Sequence, residues 1–313
     1  MDKESHRFVE GVWVHRYFTD EAILSAINYK PRQGDAIVVT YPKCGTNWTM
    51  FIVYHILARG KELQDFGEFR LSCPFMDLTG AEAAQSPTRT GPIMTHLPMS
   101  VFPPQEQAKY LYVARNPYDC AVSYYHFLKG LTPKTVTDVS FEIFLHLFLS
   151  GKVTYGDYFD HLLPWYERRN NPNVLFVTYE DLKADRKVQV LKIADFLGEE
   201  HGAALREDDD LLQKVMRACS LESMKLFFND SPRDGLKLIA KAASEKSLSA
   251  EAFKNLPAEF PEMHEGAGFV RKGSVGDWRN YFTCEQIKET KDWIARKTLG
   301  SDVMSLWSNC DVP

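Results

Sequence analysis

An anion-binding loop is written into Tyr41-Pro42-Lys43-Cys44-Gly45-Thr46-Asn47-Trp48. Lys43 brings a point charge and Thr46 a hydroxyl, and Gly45 lets backbone N–H groups come close to a ligand. The apolar run Ala36-Ile37-Val38-Val39-Thr40 before it and the amphipathic stretch from Trp48 to Leu57 after it predict strand, tight loop and helix. Such a loop aims its N–H groups at whatever lies over the helix N-terminus, where the dipole favours negative charge. The chemistry is phosphate binding, though not of the ordinary nucleotide kind. A Walker A loop reads G-x-x-x-x-G-K-[ST], whereas here the lysine precedes the glycine and no glycine opens the loop.

Two further strings follow. The run Tyr110 to Ala114 reads as a buried strand, Pro117 suits the first position of a helix and Asp119 its first turn. That places Arg115 at a strand's end and Ser123 roughly two turns into the next helix. Taken alone, Arg115 is as consistent with a surface ion pair, and Ser123 with helix packing, as with a site. Near the C-terminus, Arg271-Lys272-Gly273-Ser274-Val275-Gly276-Asp277-Trp278 adds two more cations.

With the three strings in order, the chain resembles the cytosolic sulfotransferase family, whose loop reads Y-P-K-x-G-T-x-W and whose C-terminal signature reads R-K-G-x-x-G-D-W. The resemblance runs from about residue 15 to 290. It implies transfer of a sulfonate group from 3′-phosphoadenosine-5′-phosphosulfate (PAPS) to a small acceptor, leaving the bisphosphate PAP. By the same resemblance Lys43, Cys44, Gly45, Thr46, Asn47 and Trp48 hold the donor, with Cys44 filling a position usually occupied by Ser. Arg115, Ser123, Arg271, Lys272 and Gly273 are expected on the 3′-phosphate. Trp48 and Phe269 are expected against the adenine, with Tyr179 and Ser220 nearby.

The string Thr95-His96-Leu97-Pro98 matches the one that carries the family's catalytic histidine. His96 is therefore expected as general base, a role suited to imidazole because its unperturbed pKa is roughly 6.5. One of nine histidines standing before a Leu-Pro turn would otherwise read as structural. Lys43 is expected to stabilise the phosphate leaving group. The resemblance puts Phe18, Phe75, Leu78, Phe127 and Tyr155 around the acceptor beside His96, an aromatic slot suited to a phenol; read singly, each is a core residue.

The chain also departs from the pattern. Met94 stands where many members have a lysine two residues before the histidine. Cys219-Ser220 replaces a Thr-Ser pair, and Leu131 stands where an acid can serve amine recognition. The segment Leu221 to Arg271 is longer than usual. In the family's dimer motif, Cys284 replaces Val and Lys288 replaces Glu, so a monomer or weak homodimer is expected. Met94 and the long segment also motivate an alternative, a catalytically weak PAPS, PAP or small-ligand binder. An ATP-dependent kinase fails on the Walker A order.

These residues need a scaffold. The 313 residues, 44% hydrophobic and 25% charged, supply one core. A single α/β domain over 1–313 is expected, with a central parallel sheet, helices on both faces and ligands at the strands' carboxyl ends. Residues 1–34 read as an arm with a short helix, and 60–95 and 231–268 as loops covering the site, the former with at most one short helix. Helices are expected over Ser140–Leu149, about Tyr155–Arg169 and Ala184–Leu197, the last stopped by Gly198, and a strand over Val174–Val177. Glu207 to Asp210 reads as a solvated helix start.

A net charge of −5 argues against a nucleic-acid partner, so an anionic donor must be met by a local cationic cluster. No stretch approaches the roughly 20 apolar residues of a membrane span. The charged N-terminus lacks a signal core, and the six cysteines show no C-x-x-C pair and no metal-ligand spacing. Reduced thiols, no metal and a cytoplasmic location are expected.

Overall fold

A computed structural model describes residues 6–87, 89–135, 137–228, 262, 264–266 and 268–313. The expected cover over 231–268 thus lies largely outside the described residues.

The chain opens with a hairpin, β1 (His6–Val9) and β2 (Val12–His15), paired antiparallel. Glu10 and Gly11 turn it with φ of 47° and 83°, the left-handed pair that a two-residue hairpin loop requires. The expected short helix follows as α1 (Asp20–Ile27), capped by Thr19. The hairpin itself was not foreseen in the arm.

The central sheet is parallel. Its strands are β3 (Ala36–Thr40), β4 (Ile93–Thr95), β5 (Lys109–Ala114) and β6 (Val174–Thr178), in the order β4-β3-β5-β6. Each β3 residue is buried, as helices on both faces demand. The pleat divides the core: Ile37, Val39, Tyr110 and Tyr112 pack into one apolar cluster, and Val38, Leu111 and Val113 into the other. Register aligns the carboxyl ends, pairing Thr40 with Val113, Val39 with Thr95, and Ala114 with Thr178.

After β3 comes α2 (Thr46–Leu57). Residues 60–95, expected as loop with at most one short helix, hold two, α3 (Phe66–Ser72) and α4 (Met76–Ala84), as well as β4. Asp65 caps α3, and Gly80, at φ 78°, kinks α4. Helix α5 (Pro117–Lys129) starts with its proline in the first turn and Asn116 as cap, and α6 (Phe141–Leu149) is capped by Ser140. Helix α7 (Tyr158–Glu167) begins later than expected, because Tyr155 takes φ 68° and Asp157 supplies the cap. The helix expected over Ala184–Leu197 is found as α9 (Arg186–Leu197), and a short α8 (Tyr179–Ala184) that was not expected precedes it, the two separated at Asp185. Gly198 does end α9, in extended backbone at φ 170° and not in a left-handed C-cap.

Helices α10 (Glu199–Glu207), α11 (Asp209–Ala218) and α12 (Leu221–Phe227) follow. Glu207 closes α10, and Asp208 caps α11 with Asp209 and Asp210 in its first turn, so three of the four acids make a helix start; no metal-binding cluster occurs among the described residues. A 3-10 turn at Asp277–Asn280 leads to α13 (Cys284–Lys297), which Thr283 and Gln286 open with a capping box. Among the described residues no helix is long and apolar enough to cross a membrane.

Candidate active site

Four side chains follow immediately on the carboxyl ends of four parallel strands. Tyr41 leaves β3 into the Lys43 loop, His96 follows β4, Arg115 follows β5 and Tyr179 follows β6. All but Tyr41 line one cavity of about 280 Å³. Ligands in open α/β sheets bind in this place because the helix N-termini and loop N–H groups converge there.

The loop is held in a strained form. Lys43 adopts φ 69°, a conformation that costs a non-glycine residue about 1–3 kcal/mol and persists where the surroundings enforce it. Gly45 caps α2 at φ 101°, and a Cβ there would lie 2.9 Å from the Tyr179 ring. The Lys43 ammonium sits 4.2 Å from the centre of the Phe127 ring and 3.5 Å from the Phe269 carbonyl. Burial, with Arg115 and Arg271 nearby, pulls its pKa down to about 7. Beneath the loop the Cys44 thiol is buried 3.7 Å from Cys120 Sγ, so only the backbone of Cys44 is left to meet a ligand.

Charge in the cavity is one-sided. Lys43, Arg70, Arg115, Lys183, Arg186, Arg271 and Lys272 line it, and among the described residues no Asp or Glu does. Arg115 donates to the carbonyls of Lys43 (3.2 Å) and Ser274 (3.1 Å) and lies over the Tyr179 ring. Arg271 and Lys272 share Asp277 at 2.6 and 2.8 Å from behind. Burial raises the Asp277 pKa, but hydrogen bonds from Lys272, Asn280 and Arg271 bring it down to about 2. The buried Nε atoms of Arg115 and Arg271 find no partner among the described residues. Buried cations with idle donors are a site for an anion.

Asp119 fastens this end together. Its two oxygens accept the Gly276 and Trp278 N–H groups at 2.7 and 3.0 Å, joining the C-terminal string to α5. Ser123, Trp48, Phe269 and Gly273 also line the cavity. The indole of Trp48 donates to the Cys219 carbonyl and meets Tyr179 edge-on. Ser220 does not line the cavity; it caps α12 and bonds Ser223.

The other end is aromatic. Phe75 and Tyr155 each meet the His96 ring edge-on with centroids 5.2 Å apart, and Phe18 meets both of them. Leu78, Phe127 and Leu131 complete the wall. His96 Nδ1 lies 2.7 Å from the Thr40 carbonyl oxygen, which can only accept, so Nδ1 carries the proton and Nε2 the lone pair. Burial pulls the His96 pKa down to about 3, keeping the ring neutral. Asp77 holds the turn by accepting from Thr95 Oγ1 (2.5 Å) and from the His96 N–H (2.8 Å). A neutral imidazole with a free Nε2 can take a proton from a bound hydroxyl.

The sequence reading therefore gathered Phe18, Lys43, Gly45, Thr46, Asn47, Trp48, Phe75, Leu78, His96, Arg115, Ser123, Phe127, Tyr155, Tyr179, Phe269, Arg271, Lys272 and Gly273 into one cavity, leaving Cys44 below it and Ser220 outside. It missed Arg70, Lys183, Arg186 and Phe66, which belong to no contiguous motif. Phe66 and Arg70 lie on α3, inside the stretch taken for loop.

Comparison with known proteins shows what the chain is similar to. Residues 33–231 and 227–302 match the sulfotransferase domain family. Human "Sulfotransferase 1C2" is 31% identical over 88% of this chain and 87% of its own length. Rabbit "Amine sulfotransferase" is 31% identical over 88% and 85%. The crystal structure of mouse sulfotransferase SULT7A1 complexed with PAP superposes with a TM-score of 0.70, at 28% identity, covering 97% of this chain and 98% of that one.

Proposed function

This chain belongs to the sulfotransferase family, and on that premise we propose that it moves a sulfonate group from PAPS to a hydroxyl or amine of a small, aromatic acceptor. The observation that carries the proposal is a single cavity whose described lining holds cations and no carboxylate at one end and a neutral imidazole among aromatic rings at the other. When bound, PAPS supplies the sulfonate and, in PAP, an anionic leaving group.

The chain's own residues divide the work. Arg115, Ser123, Arg271, Lys272 and Gly273, which line one end of the cavity, hold the 3′-phosphate. Trp48, Tyr179 and Phe269 flank the adenine. The N–H groups at the start of α2 and the hydroxyl of Thr46 face the 5′ end, where the left-handed Gly45 keeps the approach open. Lys43, standing between the two ends, meets the charge that builds on the departing phosphate oxygen; aimed cations in a water-poor site are the strongest catalytic device such a cavity has. His96 Nε2 accepts the acceptor's proton as the new O–S or N–S bond forms. The old S–O bond breaks, and its electron pair leaves with the phosphate. Phe18, Phe75, Leu78, Phe127 and Tyr155 hold the acceptor ring by edge and face contacts. The same reading makes the protein a cytoplasmic enzyme of small-molecule metabolism.

The test is transfer of label from sulfur-labelled PAPS to a panel of phenols, phenolic amines, alcohols and steroids, with His96→Ala as control. We expect turnover that falls by roughly two to four orders of magnitude in the variant, the span of general-base effects, with PAP affinity retained. Tight PAP binding without transfer to any acceptor would mark a carrier of the nucleotide instead.

A further inference from the structure

One cation in the cavity belongs to none of the motifs. Arg70, on α3, is 5% exposed. Its NH2 donates to Asn47 Oδ1 at 2.5 Å and its NH1 points at Met94 Sδ at 3.3 Å. Its guanidinium lies 5.0 and 4.9 Å from the centres of the Phe66 and Phe69 rings. No carboxylate among the described residues forms an ion pair with it. Burial pulls its pKa down to about 10, which leaves it charged at neutral pH.

The position is informative. Asn47 is the second residue of α2, in the anion loop, and Met94 lies on β4 two residues before His96. The guanidinium therefore bridges the loop proposed for the phosphosulfate and the strand that carries the proposed base, and its charge helps depress the His96 pKa. A guanidinium has five N–H donors and no acceptor, and a thioether is a poor partner for one of them. A buried charge without a counter-charge is expensive; the bond to Asn47 and the two rings offset part of that cost, and an arriving anion offsets more. In this cavity the anion comes with the ligand.

We propose that Arg70 is a catalytic residue, its guanidinium meeting the sulfonate oxygens as that group crosses from phosphate to acceptor; this rests on the sulfonate-transfer reading above. Met94 then has a reason. A lysine there would set a second cation against the guanidinium in a dry wall, so charge at position 70 and charge at position 94 exclude one another.

The experiment measures labelled sulfonate transfer to naphthol, a neutral phenol, and to hydroxybenzoate, a carboxylated phenol. It compares wild type, Arg70→Met, Arg70→Lys, Met94→Lys and the double variant Arg70→Met/Met94→Lys, with PAP affinity and melting temperature measured alongside. For Arg70→Met we expect kcat to fall on the order of 100-fold on both acceptors, with PAP affinity and naphthol KM near wild type. Arg70→Lys retains part of the rate, Met94→Lys alone lowers it, and the double variant regains at least about tenfold, the return of one aimed cation. An unchanged kcat in Arg70→Met overturns the proposal. So does a loss confined to the KM for hydroxybenzoate, since Arg70 would then read the acceptor's acid. Should Arg70→Met lose its fold, wild-type rates in both Arg70→Lys and Met94→Lys overturn it equally. A wild-type protein that moves label to no acceptor refutes sulfonate transfer itself, a different outcome from an active enzyme indifferent to Arg70.

Discussion

The cationic and aromatic ends of the cavity are built by opposite means. At the cationic end, Arg115 and Tyr179 each follow directly on a parallel strand, Lys43 lies in the loop that leaves another, and the partners of Arg115 are backbone carbonyls. At the aromatic end, Phe18 comes from the chain after the hairpin, Phe75 from the bend between α3 and α4, Phe127 from α5 and Tyr155 from the turn before α7. Only His96 is fixed by a strand end there, through Thr40 and Asp77. Backbone-set positions tolerate little change in residue type, whereas a wall of side chains from separate elements can be altered one ring at a time. Under the proposed function, the sheet fixes the donor and the acceptor is left to the loops and helices around it.

Gly45→Ala would break the rigid end most severely. The left-handed φ and the 2.9 Å contact with Tyr179 mean that the new methyl must move a ring on which Arg115 rests. A strain of about 1–3 kcal/mol corresponds to a loss of PAP affinity of roughly 5- to 150-fold, measurable by calorimetry, with acceptor KM unmoved. A loss seen equally in acceptor KM would mean that the two ends are not separable.

Proton linkage at Lys43 sharpens the same contrast. Its pKa in the free protein is lowered to about 7, and a bound anion favours the charged amine. Below pH 7 the ammonium already exists and binding takes up no proton there. Above pH 7 binding must draw a proton from solvent, so PAP affinity falls as pH rises, by at most about tenfold per pH unit from this group. Calorimetry in buffers of different ionisation enthalpy should show up to one proton taken up at pH 8, abolished in Lys43→Met. The His96 pKa is lowered to about 3, so the base stays ready across this range.

Phe18→Leu is expected to have the smallest effect. It removes two edge-on contacts, each worth about 0.5–1.5 kcal/mol, and should raise KM for a phenol about two- to tenfold while leaving PAP affinity alone. A matching loss of PAP affinity would contradict the division.

The same contrast explains what could be read in the sequence. The cationic end was largely legible because its main parts are contiguous strings, two of them placed by a strand as an apolar run, then a loop residue, then a helix. Trp48 and Gly273 belong to such strings and were found. Arg70 was not, because α3 spans only Phe66–Ser72; two turns are too few for periodicity to show. Pro74, Pro87, Gly91 and Pro92 punctuate that stretch like a loop, and the kink at Gly80 interrupts α4 as well. The hairpin hid for a similar reason, with strands of four residues each. The aromatic wall was found through resemblance alone, since rings that meet across the cavity leave no local pattern in the chain.

The clasp at Asp119 bears on the order in which the protein is made. A ribosome adds roughly 5–20 residues per second, so the sheet, complete at Thr178, is available on the order of ten seconds before the string at Arg271–Trp278 emerges. During that interval Asp119 has neither Gly276 nor Trp278 to accept from, and Glu180 lacks the indole of Trp307 that it later holds at 2.9 Å. The nascent chain can assemble its scaffold early, but its full donor site waits for these late residues, so competence to bind nucleotide reports that synthesis has passed Trp278.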